Sequence, residues 1–194
     1  MVYSIVTTFF WFFFKLFYGI EVKGRENIPV GGKILVVSNH MSHLDPPAAS
    51  VAIPRHMHYF AKKELFVNKY FGAFIRMLNA HPVARGEGDI RAIRDSIAII
   101  NDGHPLLVFP QGHRCGDWAK AGNGAALLAK KSGAQVLPLC IRGTDKAFPP
   151  GAKGLKFFTK VSVAIGKPIM LEEGESLDDF TKRMAVAVES QLPV

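Results

Sequence analysis

The sequence predicts an α/β fold: a mainly parallel central sheet of about seven strands flanked by helices, with an N-terminal membrane-associating helix in front of it. Three observations lead there. Short runs rich in β-branched and aliphatic residues recur along the chain, and helical patterns fill most of the intervals between them. The first twenty residues are apolar and aromatic out of proportion to the rest.

That first segment, MVYSIVTTFFWFFFKLFYGI, holds nine of the chain's 21 aromatic residues and a single charge, Lys15. A membrane span needs ~20 apolar residues. The uncharged run before Lys15 is 14 residues long, and no basic leader or small-residue cleavage site marks a secretory signal. The expectation is a helix over residues 1–19 that lies in, or dips into, a bilayer surface, with a single span or an ordinary buried core helix as the alternatives, followed by one globular domain over residues 20–194.

The strands are expected at Ile20–Gly24, Lys33–Asn39, His58–Ala61, His81–Arg85, Pro105–Pro110, Gln135–Gly143 and Lys160–Ile169. A helix is expected over Glu64–Leu78, whose aromatic run reads as packing, with an acyl-channel lining as the alternative. Another runs from Asp89 to Asp102, with Asp89 as N-cap, Ile90, Ile93, Ile97 and Ile100 on one face and Gly103 as the stop. Gly124–Ser132 is a third. The last opens on the capping box Ser176-x-x-Asp179, ahead of Phe180, Met184 and Val188.

Composition limits the partners. Residues 1–171 carry 22 Lys/Arg against 10 Asp/Glu, whereas residues 172–194 carry 2 against 6. Such a basic body favours anionic partners, which are nucleic acid, anionic lipid or a phosphorylated metabolite. The aromatic N-terminal segment turns that choice toward lipid and away from nucleic acid. Cys115 and Cys140 stand far apart without a CxxC, so neither a disulfide framework nor a zinc knuckle is expected. Cys140 reads as core.

In a parallel sheet, binding residues gather beyond the carboxyl ends of the strands. Three polar clusters fall there: NHMSHLD after ILVV, the Arg85-Gly86 end of HPVARG, and FPQGHRC after PLLV. In the first, Asp45 can accept a hydrogen bond from Nδ1 of His40 and leave Nε2 as a general base. Ser42 is a possible hydrolase nucleophile, although no GxSxG elbow is present. His40, His43, Asp45, His56 and His58 also admit a metallohydrolase reading, though the spacing matches no familiar zinc site and Arg55, Lys62 and Lys63 crowd the area with positive charge. Arg85 and Arg114 are forked donors suited to phosphate, Gly112 allows backbone N–H groups to approach, and Lys62 adds charge. His113 reads as a solvent-facing group or an extra base or phosphate donor.

These clusters resemble the motifs of the glycerolipid acyltransferases of the PlsC type, the group that includes bacterial 1-acyl-sn-glycerol-3-phosphate acyltransferase. NHMSHLD looks like NHxSxxD, AKKELF like KxELF, LNAHPVAR like LGxIPVxR, FPQGHRC like FPEGTRS and VLPLCIRG like VxPVxIxG, in order, from about Val22 to Ile169.

The resemblance implies that His40 is the base and Asp45 its orienting partner. It implies that Arg85 and the Gly112/Arg114 segment hold a glycerol phosphate, joined by Lys62, and that Pro138 helps shape the acyl side. Asn39, Ser42, Gln111 and His113 complete the expected site, with Ser42 supporting the turn. The reaction implied is transfer of an acyl chain from acyl-CoA or acyl carrier protein to the sn-2 hydroxyl of lysophosphatidic acid, with no metal and no cofactor. The alternatives are another lysophospholipid acceptor and a lipid-binding pseudoenzyme. The implied location is peripheral or monotopic, on the cytoplasmic face of a bacterial inner membrane.

The sequence departs from the pattern at Asn79, Gln111, His113 and Cys115. Gln111 stands where the family has a carboxylate, so Gln111→Glu is expected to raise kcat/KM for lysophosphatidic acid.

Overall fold

The computed structural model describes residues 1–83, 90–114 and 116–191. Seven strands form one sheet: β1 (Glu21–Lys23), β2 (Ile34–Ser38), β3 (His58–Lys62), β4 (Ala80–Val83), β5 (Leu106–Val108), β6 (Gln135–Arg142) and β7 (Ser162–Ile165), in the order β1-β7-β6-β2-β5-β3-β4. The five strands from β6 to β4 are parallel. β7 pairs antiparallel with β6, and β1 follows β7. The expected sheet is therefore present, each strand within its predicted stretch or about a residue beyond it.

β2 shows why the sheet needs helices on both sides. All five of its residues are buried, because Ile34 and Val36 point into one core and Leu35 and Val37 into the other. On the first side lies α2 (Asp45–Ala52), with α1 (Val2–Tyr18) packed over it. On the second lie α4 (Ile90–Asn101), α5 (Gly124–Ser132) and α7 (Leu177–Glu189). The short α6 (Thr144–Ala147) follows β6.

Ser176 caps α7 as expected, its hydroxyl accepting from the Asp179 N–H at 3.1 Å. Asp89, the expected cap of α4, lies outside the described residues.

Two predicted elements differ from expectation. The helix expected over Glu64–Leu78 is broken into a 3-10 turn (Lys63–Phe66) and α3 (Lys69–Met77). Asn68 makes the break, because its side chain accepts from the N–H groups of Tyr70 and Phe71, at 3.1 Å each, and starts a new helix there. α1, in turn, is more than an appended anchor. Phe14 and Tyr18 are fully buried in the first core, while Ile5, Phe9, Phe12 and Leu16 form an exposed stripe on the other face. α2 was not predicted at all, and it carries Asp45.

Candidate active site

β2 and β5 are neighbours in the sheet. The chain leaves β2 for α2 on one side and β5 for α5 on the other. Adjacent strands whose connections part in this way open a crevice at their carboxyl ends, and the polar loops 39–44 and 109–114 meet in it.

His40 and Asp45 are brought together there. Nδ1 of His40 lies 2.8 Å from Oδ2 of Asp45. The carboxylate is fully buried, and its oxygens are satisfied by four donors: Oδ2 also accepts from the N–H groups of Met41 (2.6 Å) and Ser42 (2.8 Å), while Oδ1 accepts from the Thr144 hydroxyl at 2.6 Å. Asp45 is the first residue of α2, which continues Pro46-Pro47 at its first turn. Proline suits that position, and a carboxylate is favoured at a helix N-terminus.

A carboxylate only accepts, so the hydrogen of the imidazole must sit on Nδ1, and Nε2 keeps its lone pair. Phe109 holds the ring from the side, stacked with centroids 4.2 Å apart.

The loop is tied down by the other residues of the motif. Asn39 prolongs the pairing of β2 with β6, its side chain donating to the Ile141 carbonyl and accepting from the Ile141 N–H, both at 2.8 Å. Ser42 is buried, and its hydroxyl donates to the Phe148 carbonyl at 2.8 Å. Its proton is committed to the turn, which removes the hydrolase reading.

Gln111 is also buried. Oε1 accepts from the His40 N–H at 2.8 Å, and Nε2 donates to the Gly116 carbonyl at 2.6 Å. Both ends of the amide therefore serve backbone groups, and the residue fixes the His40 backbone rather than facing a substrate hydroxyl. The expected benefit of a carboxylate here loses its basis, because a carboxylate cannot donate to Gly116.

The positive side of the crevice is built on Arg114, whose Nη1 donates to Nε2 of His43. Burial, and then the Arg114 charge, push the His43 ring below the usual histidine value, so it stays a neutral acceptor. Lys62, at the end of β3, is exposed and lies within electrostatic reach of His43. Gly112 turns at φ 70° with its N–H given to the Phe109 carbonyl at 3.0 Å. That N–H is therefore already partnered within the loop.

His113 is exposed, and among the described residues no side-chain hydrogen bond ties it to the crevice. Pro138 lies buried within β6, paired with Val37, well before the strand's carboxyl end. Arg85 and Cys115 lie outside the described residues.

The metallohydrolase ligands are separated. His40, His43 and Asp45 sit at the carboxyl rim. His58 begins β3, with Nδ1 2.9 Å from Nε2 of His81 and its ring stacked on His104, and His56 contacts Tyr3 and Ser4.

Sequence reading missed Thr144 and Phe109. Thr144 directly follows Gly143, which ends β6 at φ 81° with its Cα so close to the chain that a Cβ would lie 2.0 Å from the Lys160 carbonyl oxygen. The signal was a hydroxyl placed at a strand's carboxyl end straight after an obligatory glycine. Asn79 turns at φ 64°, where the family pattern has glycine, and asparagine is among the few side chains that tolerate this.

The acyltransferase family matches residues 19–142. A 1-acyl-sn-glycerol-3-phosphate acyltransferase of Bacillus subtilis is 30% identical over 152 residues, which are 78% of this chain and 74% of that protein. One of Streptococcus pneumoniae is 32% identical over 147 residues, covering 75% of this chain and 53% of the relative. The crystal structure of the 1-acyl-sn-glycerophosphate (LPA) acyltransferase PlsC from Thermotoga maritima superposes with a TM-score of 0.76 at 28% identity, over 97% of this chain and 79% of that one. A histidine and a buried aspartate in the crevice of such a sheet, together with these likenesses, make the conclusion plain: the chain belongs to the acyltransferase family.

Proposed function

We propose that the protein is an O-acyltransferase that moves an acyl chain from acyl-CoA or acyl carrier protein to the sn-2 hydroxyl of 1-acyl-sn-glycerol-3-phosphate, giving phosphatidic acid. The observation that carries this reading is the Asp45–His40 pair at the crevice, Nδ1 held by the carboxylate, with Arg114 donating to the neighbouring His43. The relatives' names supply the substrate class.

Nε2 of His40 takes the proton of the attacking hydroxyl as its oxygen bonds to the thioester carbonyl. The buried Asp45 carboxylate stabilises the imidazolium that forms. As the tetrahedral adduct collapses, the C–S bond breaks. A thiol with a reference pKa of about 8.5 leaves readily, and the imidazolium returns the proton to the thiolate. Arg114 and Lys62 hold the acceptor's phosphate, with Arg85 expected to join them. The step uses no metal and no cofactor beyond the thioester.

The acceptor is a membrane lipid, and the surface of the protein fits that environment. Among the described residues no helix is long and apolar enough to cross a membrane. α1 turns a stripe of Ile5, Phe9, Phe12 and Leu16 outward, suited to a bilayer interface. The reading places the protein as a peripheral or monotopic enzyme on the cytoplasmic face of a bacterial inner membrane, with anionic lipid and not nucleic acid as its partner.

The test is purified full-length protein with acyl-CoA or acyl carrier protein thioester and lysophosphatidic acid, with and without chelator, beside His40→Ala. Phosphatidic acid should form, insensitive to chelator and about 10²–10⁴-fold more slowly with the variant. No product from either donor, or loss of product on chelation, would overturn the reading.

A further inference from the structure

The segment after β3 is folded but barely buried. Gly72 is the only buried residue of α3. Leu65, Val67, Tyr70, Phe71, Phe74 and Met77 are all exposed, Val67 by 80% and Tyr70 by 91%. This is no frayed region. Asn68 caps the helix, and a Cβ at Gly72 would come within 3.0 Å of the Phe66 backbone, so the glycine lets α3 sit directly on the preceding 3-10 turn.

A soluble surface seldom carries so many large apolar side chains together. Around them stand Lys62, Lys63, Lys69 and Arg76 against one acid, Glu64. Exposed rings and aliphatic side chains ringed by long basic ones match a bilayer interface with anionic headgroups, where the rings enter the acyl boundary and the cations reach the phosphates. The position is informative too. This segment follows Lys62 at the carboxyl end of β3, which runs parallel to β5, itself the parallel neighbour of β2, so the apolar platform adjoins the rim that holds His40.

We propose that the 3-10 turn and α3 form a second bilayer-docking surface, separate from α1, which seats the catalytic rim on an anionic membrane and admits the acceptor lipid laterally from it. Docking there leaves the acceptor's chain in the bilayer while its glycerol phosphate reaches Arg114 and Lys62. The lipid-entry part rests on the function proposed above; the docking part does not.

The test uses full-length Val67→Ser/Tyr70→Ser, which removes two side chains that contribute nothing to the core. Three quantities are measured: co-sedimentation with phosphatidylglycerol/phosphatidylcholine vesicles, the rate with lysophosphatidic acid in those vesicles, and the rate with a short-chain lysophosphatidic acid dissolved below its micelle concentration. Docking by α3 predicts at least fivefold weaker vesicle binding, a raised KM for the vesicle-borne acceptor, and kcat/KM for the dissolved acceptor within twofold of wild type.

Unchanged vesicle binding overturns the proposal. An equal fall with both acceptors overturns it in favour of α3 as part of the substrate site, and conversion of a wild-type dimer to a monomer overturns it in favour of a second copy as the occupant. If wild-type protein acylates neither acceptor, the proposed function fails, and the vesicle arm still decides the docking surface.

Discussion

Thr144 and His40 never touch, yet they hold opposite oxygens of one carboxylate: the Thr144 hydroxyl donates to Oδ1 of Asp45 at 2.6 Å, and His40 Nδ1 to Oδ2 at 2.8 Å. The carboxylate is buried and fully partnered, so it can fix the tautomer and direction of the imidazole without moving.

Removing the base should therefore cost the rate far more than the fold. His40→Ala is expected to lower kcat by about 10²–10⁴, with a melting temperature close to that of wild type. Asp45→Asn should be nearly as damaging, because the amide can donate to the ring and select the wrong tautomer. Steady-state kinetics beside thermal denaturation check both; a kcat within tenfold of wild type for His40→Ala would remove the base assignment.

Thr144→Val keeps the shape but strands Oδ1 of a buried carboxylate. The expected loss is about 1–3 kcal/mol of stability, with a fall in kcat that KM does not share. Thr144→Ser retains the hydroxyl and should recover most of both. If valine and serine behave alike, the hydrogen bond contributes little.

Gln111→Glu follows from the Nε2 to Gly116 contact of 2.6 Å. A carboxylate oxygen facing that carbonyl is repelled, so the variant should melt lower than wild type at pH 7 and show no gain in kcat/KM. Lowering the pH should narrow the gap, since a protonated Glu can donate again. A tenfold rise in kcat/KM at pH 7 would restore the expectation drawn from the sequence pattern alone.

The histidine stack at the amino end of β3 sets an acid limit on stability. Burial first, then the neighbouring His81, lowers His58 from the usual histidine value to about 4. A histidine held neutral in the folded state contributes stability above its unfolded pKa of about 6.5, and that contribution is lost as the pH falls toward 4. Melting temperature should decline over this window, and His58→Phe should flatten the decline. An unchanged profile in the variant would assign the acid sensitivity elsewhere.

Deleting residues 1–18 removes Phe14 and Tyr18 from the first core. Full burial of a large apolar side chain contributes roughly 1.5–3 kcal/mol, so the truncated chain should be destabilised by several kcal/mol and expose the surface of α2. Phe9→Ser/Phe12→Ser, on the exposed stripe, should instead reduce vesicle binding with little change in melting temperature. Calorimetry and vesicle sedimentation of the two variants separate the helix's two faces.

Local pattern was enough to determine the strands and the helices α4, α5 and α7; it made the pairing of His40 with Asp45 one of several readings, which the resemblance to the family's motifs singled out. Two-sided burial writes continuous apolar runs such as ILVV, one-sided burial writes a 3.6-residue period, and the His–Asp pair closes within a single turn. α2 was not legible, because its small residues and Pro46-Pro47 give no amphipathic period; it is defined by lying buried between the sheet and α1.

Only the tertiary structure decided the contacts made across the crevice. Thr144 lies 99 residues from Asp45, and the His40 backbone 71 from Gln111. Nothing local links such residues. The sheet order, which places β5 and β6 on either side of β2, brings Thr144 after β6 to the Asp45 carboxylate and Gln111 after β5 to the His40 N–H. The fate of the aromatic segments was settled in the same way. Both α1 and α3 carry aromatic and aliphatic side chains, but which of these are buried depends on what packs against them, and for α3 that is almost nothing.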